Sequence, residues 1–183
     1  MQHNKIKVAF LDRDGVINKE VNYLHKIEDF EYTSKCIVGL KKIRDLGYEI
    51  IIITNQAGIA RGYYSEKQYQ LLTDWYRNDL KEKGVDILDI FHCPHYPDGI
   101  VPELSKDCYC RKPSPGMIEQ ARKKYSIDIK SSILVGDKNS DIHAGERAGI
   151  PRCFLVKTGH PTSEPTENAI LSNNLFTISK LIE

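Results

Sequence analysis

Short apolar runs and helix-period stripes alternate along the chain. Ile6-Lys7-Val8-Ala9-Phe10-Leu11 reads as a strand, mostly apolar in the way of strands buried on both faces. Ile37, Leu40, Ile43 and Leu46 share one helical face, and Gly47 stands where a C-cap belongs. Tyr48 to Ile53 predicts a second strand, rich in β-branched residues. Ser65-x-x-Gln68 is a capping box that opens a helix with Tyr69, Leu72, Tyr76 and Leu80 on one side. Asp86 to Phe91 predicts a third strand. Ser114-Pro115 offers an N-cap and a proline at the first helical position, ahead of Met117, Ile118, Ala121 and Tyr125. Ser132 to Val135 predicts a fourth strand, Asp141 to Ala148 a short helix closed by Gly149, and Cys153 to Val156 a fifth strand. This alternation predicts an α/β fold, a Rossmann-like three-layer arrangement with a mostly parallel sheet and helices on both faces.

Two stretches interrupt the pattern. Asn18 to Phe30 is a loop after the first strand. Cys93 to Pro113 is longer and holds four of the eight prolines. A loop of that length inside a compact domain is functional or is held by something. There is no internal repeat, no low-complexity tract, and no glycine-rich phosphate loop of the Walker or dinucleotide type.

Composition narrows the picture. A length of 183 residues predicts one domain spanning 1–183, large enough to fold around its own core. Lys and Arg number 26 against 25 Asp and Glu, so there is no bulk positive charge for nucleic acid. Apolar runs such as Ile50 to Ile53 fall far short of a membrane span. Met1 to Lys5 carries no signal-peptide core, so the expected location is cytoplasmic. In that compartment, five cysteines argue for metal binding or burial rather than disulfides. No exposed apolar heptad points to self-association, and a monomer is expected.

The candidate chemistry sits at predicted strand ends, where open α/β sheets bind ligands. In Phe10-Leu11-Asp12-Arg13-Asp14-Gly15, alternation places Asp12 and Asp14 on one side. Two carboxylates there repel unless a cation such as Mg²⁺ lies between them; a simple turn is the alternative. Thr54-Asn55-Gln56-Ala57-Gly58 offers a hydroxyl and backbone amides for phosphate oxygens, or a helix cap. Arg111-Lys112-Pro113 brings two cations before a helix, or plain surface charge. Gly136-Asp137-Lys138-Asn139-Ser140-Asp141 adds a carboxylate that completes a metal site or caps a helix. Each signal is weak alone, and their ordered occurrence at successive strand ends is not. Cys93-x-His95 and Cys108-x-Cys110 bracket a twelve-residue loop. Three thiolates and an imidazole make a closed zinc site of the structural kind; buried free cysteines and a surface histidine are the alternative. Cys36 and Cys153 read as core. His25, His92, His143 and His160 show no partner pattern.

Taken together, Asp12-x-Asp14, Thr54, Lys112 and Gly136-Asp137-x-x-x-Asp141 resemble the four motifs of the haloacid-dehalogenase-like (HAD) phosphatases over nearly the whole chain. The stretches 10–18, 54–62, Cys93-Pro94-His95 and Cys108 to Pro113 narrow the resemblance to the D,D-heptose 1,7-bisphosphate phosphatases. Most of that family has Thr where Val16 stands. The resemblance implies an Asp12 nucleophile forming an aspartyl-phosphate and an Asp14 acid and base. It implies catalytic Mg²⁺ on the Asp12 carboxylate, the Asp14 carbonyl and Asp137, with Thr54 and Lys112 on the transferring phosphoryl group. It further implies structural Zn²⁺ on Cys93, His95, Cys108 and Cys110. Substrate contacts are expected from Glu20, Val21, Asn22 and Tyr23, from Thr54, Asn55, Gln56 and Ala57, and from Arg111, Lys112 and Lys138. Asp141 is expected to act from behind the metal rather than on it. The implied reaction removes the C7 phosphate of a heptose 1,7-bisphosphate for nucleotide-heptose and surface-glycan synthesis, without a large cap domain. Histidinol-phosphate hydrolysis and an inactive zinc-stabilised binding module remain the alternatives.

Overall fold

The computed structural model describes residues 5–160 and 165–183. In chain order the elements are β1 (Val8–Leu11), α1 (Cys36–Asp45), β2 (Glu49–Asn55), α2 (Ala57–Ala60), α3 (Glu66–Glu82) and β3 (Asp89–Cys93). They continue as α4 (Gly116–Lys124), β4 (Ile133–Gly136), α5 (Asn139–Ala148), β5 (Arg152–Val156), β6 (Ile170–Ser172) and α6 (Leu175–Leu181). Six strands form one sheet in the order β3-β2-β1-β4-β5-β6, and every pairing is parallel.

Both faces are covered, which explains the apolar runs. Ala9, Leu11, Ile50, Ile52 and Val135 pack with Leu40 and Ile43 of α1, Leu72, Tyr76 and Leu80 of α3, and Leu175 and Ile178 of α6. The alternate residues Val8, Phe10, Ile51, Ile53, Leu134 and Leu155 pack with Met117, Ile118 and Ala121 of α4 and Ile142 and Ala144 of α5. Cys36 and Cys153 are buried, as expected. The Ser65–Gln68 capping box forms in full. Gly47 and Gly149 end α1 and α5 with φ of +83° and +81°, the left-handed conformation that glycine adopts without strain.

Some boundaries differ from the sequence expectation. The Ser114 side chain caps nothing: Pro115 is the N-cap and α4 begins at Gly116. There the chain is still turning out of the long loop, with the Ser114 amide on the Arg111 carbonyl and the Gly116 amide on the Tyr109 carbonyl. The third strand begins at Asp89, after an entry stretch fixed by the Leu88 amide on Ile50. The segment 18–30 is not wholly irregular, since Ile27–Asp29 makes a 3₁₀ turn. The short elements α2, β6 and α6 carried too few patterned residues to be read.

Candidate active site

Beyond β1 the chain continues one residue in sheet register, with the Asp12 amide on the Val135 carbonyl. It then turns sharply around the Arg13 carbonyl, which accepts from the Val16, Ile17 and Asn18 amides. The turn leaves Asp12 and Asp14 on the wall of one cavity of about 440 Å³ at the carboxyl ends of the strands. Glu20, Asn22, Tyr23, Asn55, Gln56, Ala57, Arg111, Lys112, Lys138 and Asp141 also line it, so nearly all the residues singled out in the sequence converge. Val21, between Glu20 and Asn22, is exposed and is not among the residues that line the cavity. Thr54 lies beneath the floor, fully buried, and its hydroxyl oxygen accepts from Gln56 Nε2 at 2.8 Å.

Lys112 is the electrostatic centre. Its Nζ lies 2.9 Å from Asp12 Oδ1 and 2.6 Å from Asp141 Oδ1, and donates to the Ile53 carbonyl at 2.9 Å. Burial works against its charge, but Asp12 and Asp141 outweigh burial and hold it protonated above the usual lysine range. The Lys112 main chain is fastened by the Asn55 amide group, which accepts from its N–H at 3.0 Å and donates to its carbonyl at 3.1 Å. The Asn55 side chain is therefore occupied by protein. Burial pushes Asp12 up to about 6; Lys112 opposes this, and Asp141 and Asp14 add to it. For Asp14, burial is outweighed by the Arg13 guanidinium, which holds the carboxyl below its usual range.

The remaining carboxylates separate into two kinds. Asp141 Oδ2 accepts from the Asp137 and Lys138 amides at 3.2 and 3.0 Å while its Oδ1 meets Lys112, so both oxygens are engaged. Asp137 instead keeps Oδ1 buried with no hydrogen bond. It sits in a slot where a Cβ on Gly15 or on Gly159 would come within 2.4 or 2.1 Å of its Oδ2. An orphaned buried carboxylate oxygen beside Asp12 suits a hard divalent cation. Ligand oxygens of Asp12, Asp137 and Asp141 lie within 4.8 Å of one another.

His160 departs from the sequence expectation of no partner. Its Nδ1 is 2.8 Å from Asp137 Oδ2, its amide donates to the same oxygen at 3.0 Å, and Glu20 is 3.8 Å away. His92 and His143 pair with Glu66 and Glu146, and His25 stacks on Tyr64. The cavity also recruits Arg61, Tyr64, Tyr96 and Ser140, which the sequence did not single out. Arg61 had a signal, since it stands in the 54–62 stretch. Tyr96 had none: two guanidiniums approach its ring, Arg61 at 3.9 Å and Arg111 at 5.1 Å from the centroid.

Cys93, His95, Cys108 and Cys110 come together at the end of β3 and in the loop beyond it. Their sulfurs are 3.1 to 3.3 Å apart, and His95 Nδ1 is 3.4 Å from Cys110 and 3.8 Å from Cys93. These separations exceed the roughly 2.05 Å of a disulfide. They approach the edge of about 3.8 Å expected between sulfurs on tetrahedral zinc. The donor set therefore fits that ion. Arg111 follows Cys110 and donates to the His95 carbonyl at 3.3 Å.

Comparison with known proteins agrees with this geometry. A family model described as HAD-hydrolase-like matches residues 109–178. A D-glycero-β-D-manno-heptose-1,7-bisphosphate 7-phosphatase of Pasteurella multocida is 46% identical over 158 residues, 86% of this chain and 85% of that one. The protein of the same name from Photorhabdus laumondii is 40% identical over 97% of this chain and 96% of its own. The D,D-heptose 1,7-bisphosphate phosphatase of B. bronchiseptica, solved with magnesium and phosphate, superposes with a TM-score of 0.84 at 27% identity. That match covers 97% of this chain and 98% of the other.

Proposed function

Because the chain belongs to the D-glycero-β-D-manno-heptose-1,7-bisphosphate 7-phosphatase family of HAD-like hydrolases, we propose that it removes the C7 phosphate of that sugar bisphosphate and releases heptose 1-phosphate. The observation that carries the reading is Asp12, a buried carboxylate 2.9 Å from the Lys112 ammonium and open to a cavity whose rim holds Arg61, Arg111 and Lys138. An anion held in such a cavity meets a nucleophile on one side and fixed positive charge on the other.

In this reading an Asp12 oxygen attacks phosphorus and the bond to the sugar oxygen breaks; Asp14, which must be protonated in the substrate complex, where the negative phosphate opposes the pull of Arg13, gives that oxygen its proton. Asp14 then takes a proton from water, which attacks the aspartyl-phosphate and frees phosphate and Asp12. Lys112 and Thr54 hold the non-bridging oxygens, where negative charge grows in the transition state. Thr54 suits the task because its oxygen already accepts from Gln56, which leaves its own proton to donate. Glu20, Asn22, Tyr23, Gln56, Ala57, Arg111 and Lys138 surround the sugar.

Asp12, Asp137 and the Asp14 carbonyl would hold Mg²⁺. When bound, that ion supplies the positive charge that lets a carboxylate approach a phosphate. Cys93, His95, Cys108 and Cys110 would hold a structural Zn²⁺ that stiffens the segment presenting Arg111 and Lys112. No helix among the described residues is long and apolar enough to cross a bilayer. We place the protein in the cytoplasm as a monomer acting on a small-molecule substrate.

The test is phosphate release from the α and β heptose 1,7-bisphosphates and from histidinol phosphate, with Asp12→Asn as the inactive reference. The relatives' names specify the β anomer, so kcat/KM is expected to be highest there and to exceed that for histidinol phosphate by about 100-fold or more. A preference for histidinol phosphate, or turnover by Asp12→Asn within tenfold of the parent, would refute the proposal.

A further inference from the structure

Arg13 is the largest fully buried side chain in the described structure, at 0% exposure. Its Nη2 lies 2.8 and 2.9 Å from the two oxygens of Asp14, and its Nε lies 3.1 Å from Oδ1. Nη2 also donates to the Leu24 carbonyl at 3.1 Å. From behind, α3 supports it, with the guanidinium carbon 6.0 Å from the centre of the Tyr69 ring and Tyr76 nearby. Two further donors meet the same carboxylate: Asn18 Nδ2 at 3.0 Å and Gln56 Nε2 at 3.1 Å. Gln56 is itself held by the Tyr64 hydroxyl at 2.5 Å.

A buried ion pair is a poor route to stability, because an apolar side chain of similar volume avoids the desolvation cost. What a guanidinium fork does supply is direction, since it aligns its plane with that of the carboxylate. Asp14 is gripped by Arg13, Asn18 and Gln56, yet 18% of its side chain stays open, and it lines the cavity shared with Asp12. We propose that Arg13 is a positioning residue: it fixes the rotamer of Asp14 so that the open side of the carboxylate faces the leaving oxygen. The inference rests on the acid–base reading of Asp14. It assigns to the residue between the two aspartates a function distinct from theirs.

The test uses leaving groups of graded basicity and nearly constant shape. Phenyl phosphates from 4-nitro to 4-methoxy span about three pKa units, and good leaving groups depart without help from an acid. In the Mg²⁺-loaded parent, kcat/KM should vary little along the series. A misdirected acid can cost about 100-fold, so Arg13→Met and Arg13→Lys should lose at least about tenfold more on the 4-methoxy than on the 4-nitro ester. Asp14→Asn should show the same steepening. Circular dichroism and melting report folding. If Arg13→Met does not fold, Arg13→Lys and Asn18→Ala read the same ratio.

A folded Arg13 variant that loses equal factors on every ester, while Asp14→Asn steepens, overturns the positioning role and leaves the acid–base reading standing. A flat series for Asp14→Asn removes the acid–base reading and this inference with it. Steepening in both confirms both.

Discussion

Asp141 offers the sharpest energetic test, because one carboxylate performs two separable tasks. Oδ2 accepts the Asp137 and Lys138 amides at the start of α5, while Oδ1 meets Lys112 Nζ at 2.6 Å, with both side chains 2% exposed. Asp141→Asn keeps an acceptor for the amides but removes the charge. Breaking a buried ion pair costs about 3–5 kcal/mol. The lower end applies here, since Lys112 retains Asp12 and the Ile53 carbonyl. For a chain of this size, about 3 kcal/mol corresponds to a drop in Tm of roughly 6–12 °C. Asp141→Ala also abandons the helix cap, for about 1 kcal/mol more. The assay is thermal and urea unfolding of both variants with phosphate-release kinetics. Asp141→Asn should also lower kcat, because Lys112 loses one of the groups that aim it. A Tm within 2 °C of the parent for Asp141→Asn would mean that the Lys112–Asp141 pair holds nothing together.

Other measurements probe separate parts of the site. Cys108→Ser should abolish the one zinc per chain that elemental analysis is expected to find, lower Tm, and reduce activity through Arg111 and Lys112; unchanged zinc content refutes the ligand set. Arg111→Ala should raise KM and erase discrimination between heptose bisphosphate and an aryl phosphate, whereas Lys112→Ala should lower kcat on both; equal losses on both substrates for Arg111→Ala would remove it from sugar recognition. With Asp12 raised to about 6, cation binding must displace a proton below that pH. Mg²⁺ affinity by calorimetry should therefore weaken roughly tenfold per pH unit below 6 and stay level above it; constant affinity from pH 5 to 7.5 contradicts the assignment of Asp12 to the cation.

The strands and long helices were legible because burial on both faces leaves a mark that survives in one dimension. Ile50 to Ile53 and the stripe Tyr69, Leu72, Tyr76 and Leu80 occupy the places their pattern predicts. The carboxylates and cations at strand ends were legible for a different reason, since a parallel sheet delivers every strand's carboxyl end to one edge. What escaped was held by geometry without periodicity. His160 meets Asp137 through a loop after β5, and Tyr96 meets Arg61 and Arg111 across two loops. Neither contact leaves a spacing that a sequence can display. Element β6, with Ile170 and Leu171 exposed at the sheet edge, lacks the inward face that patterning detects.

The slot around Asp137 limits how this scaffold can be recombined. Its walls are Gly15, in the turn after β1, and Gly159, in the loop after β5, and a methyl group on either would collide with the carboxylate. These two distant positions therefore form one unit of exchange. A chimaera that imports a relative's loop after β5 to alter specificity must import a glycine at 159 with it.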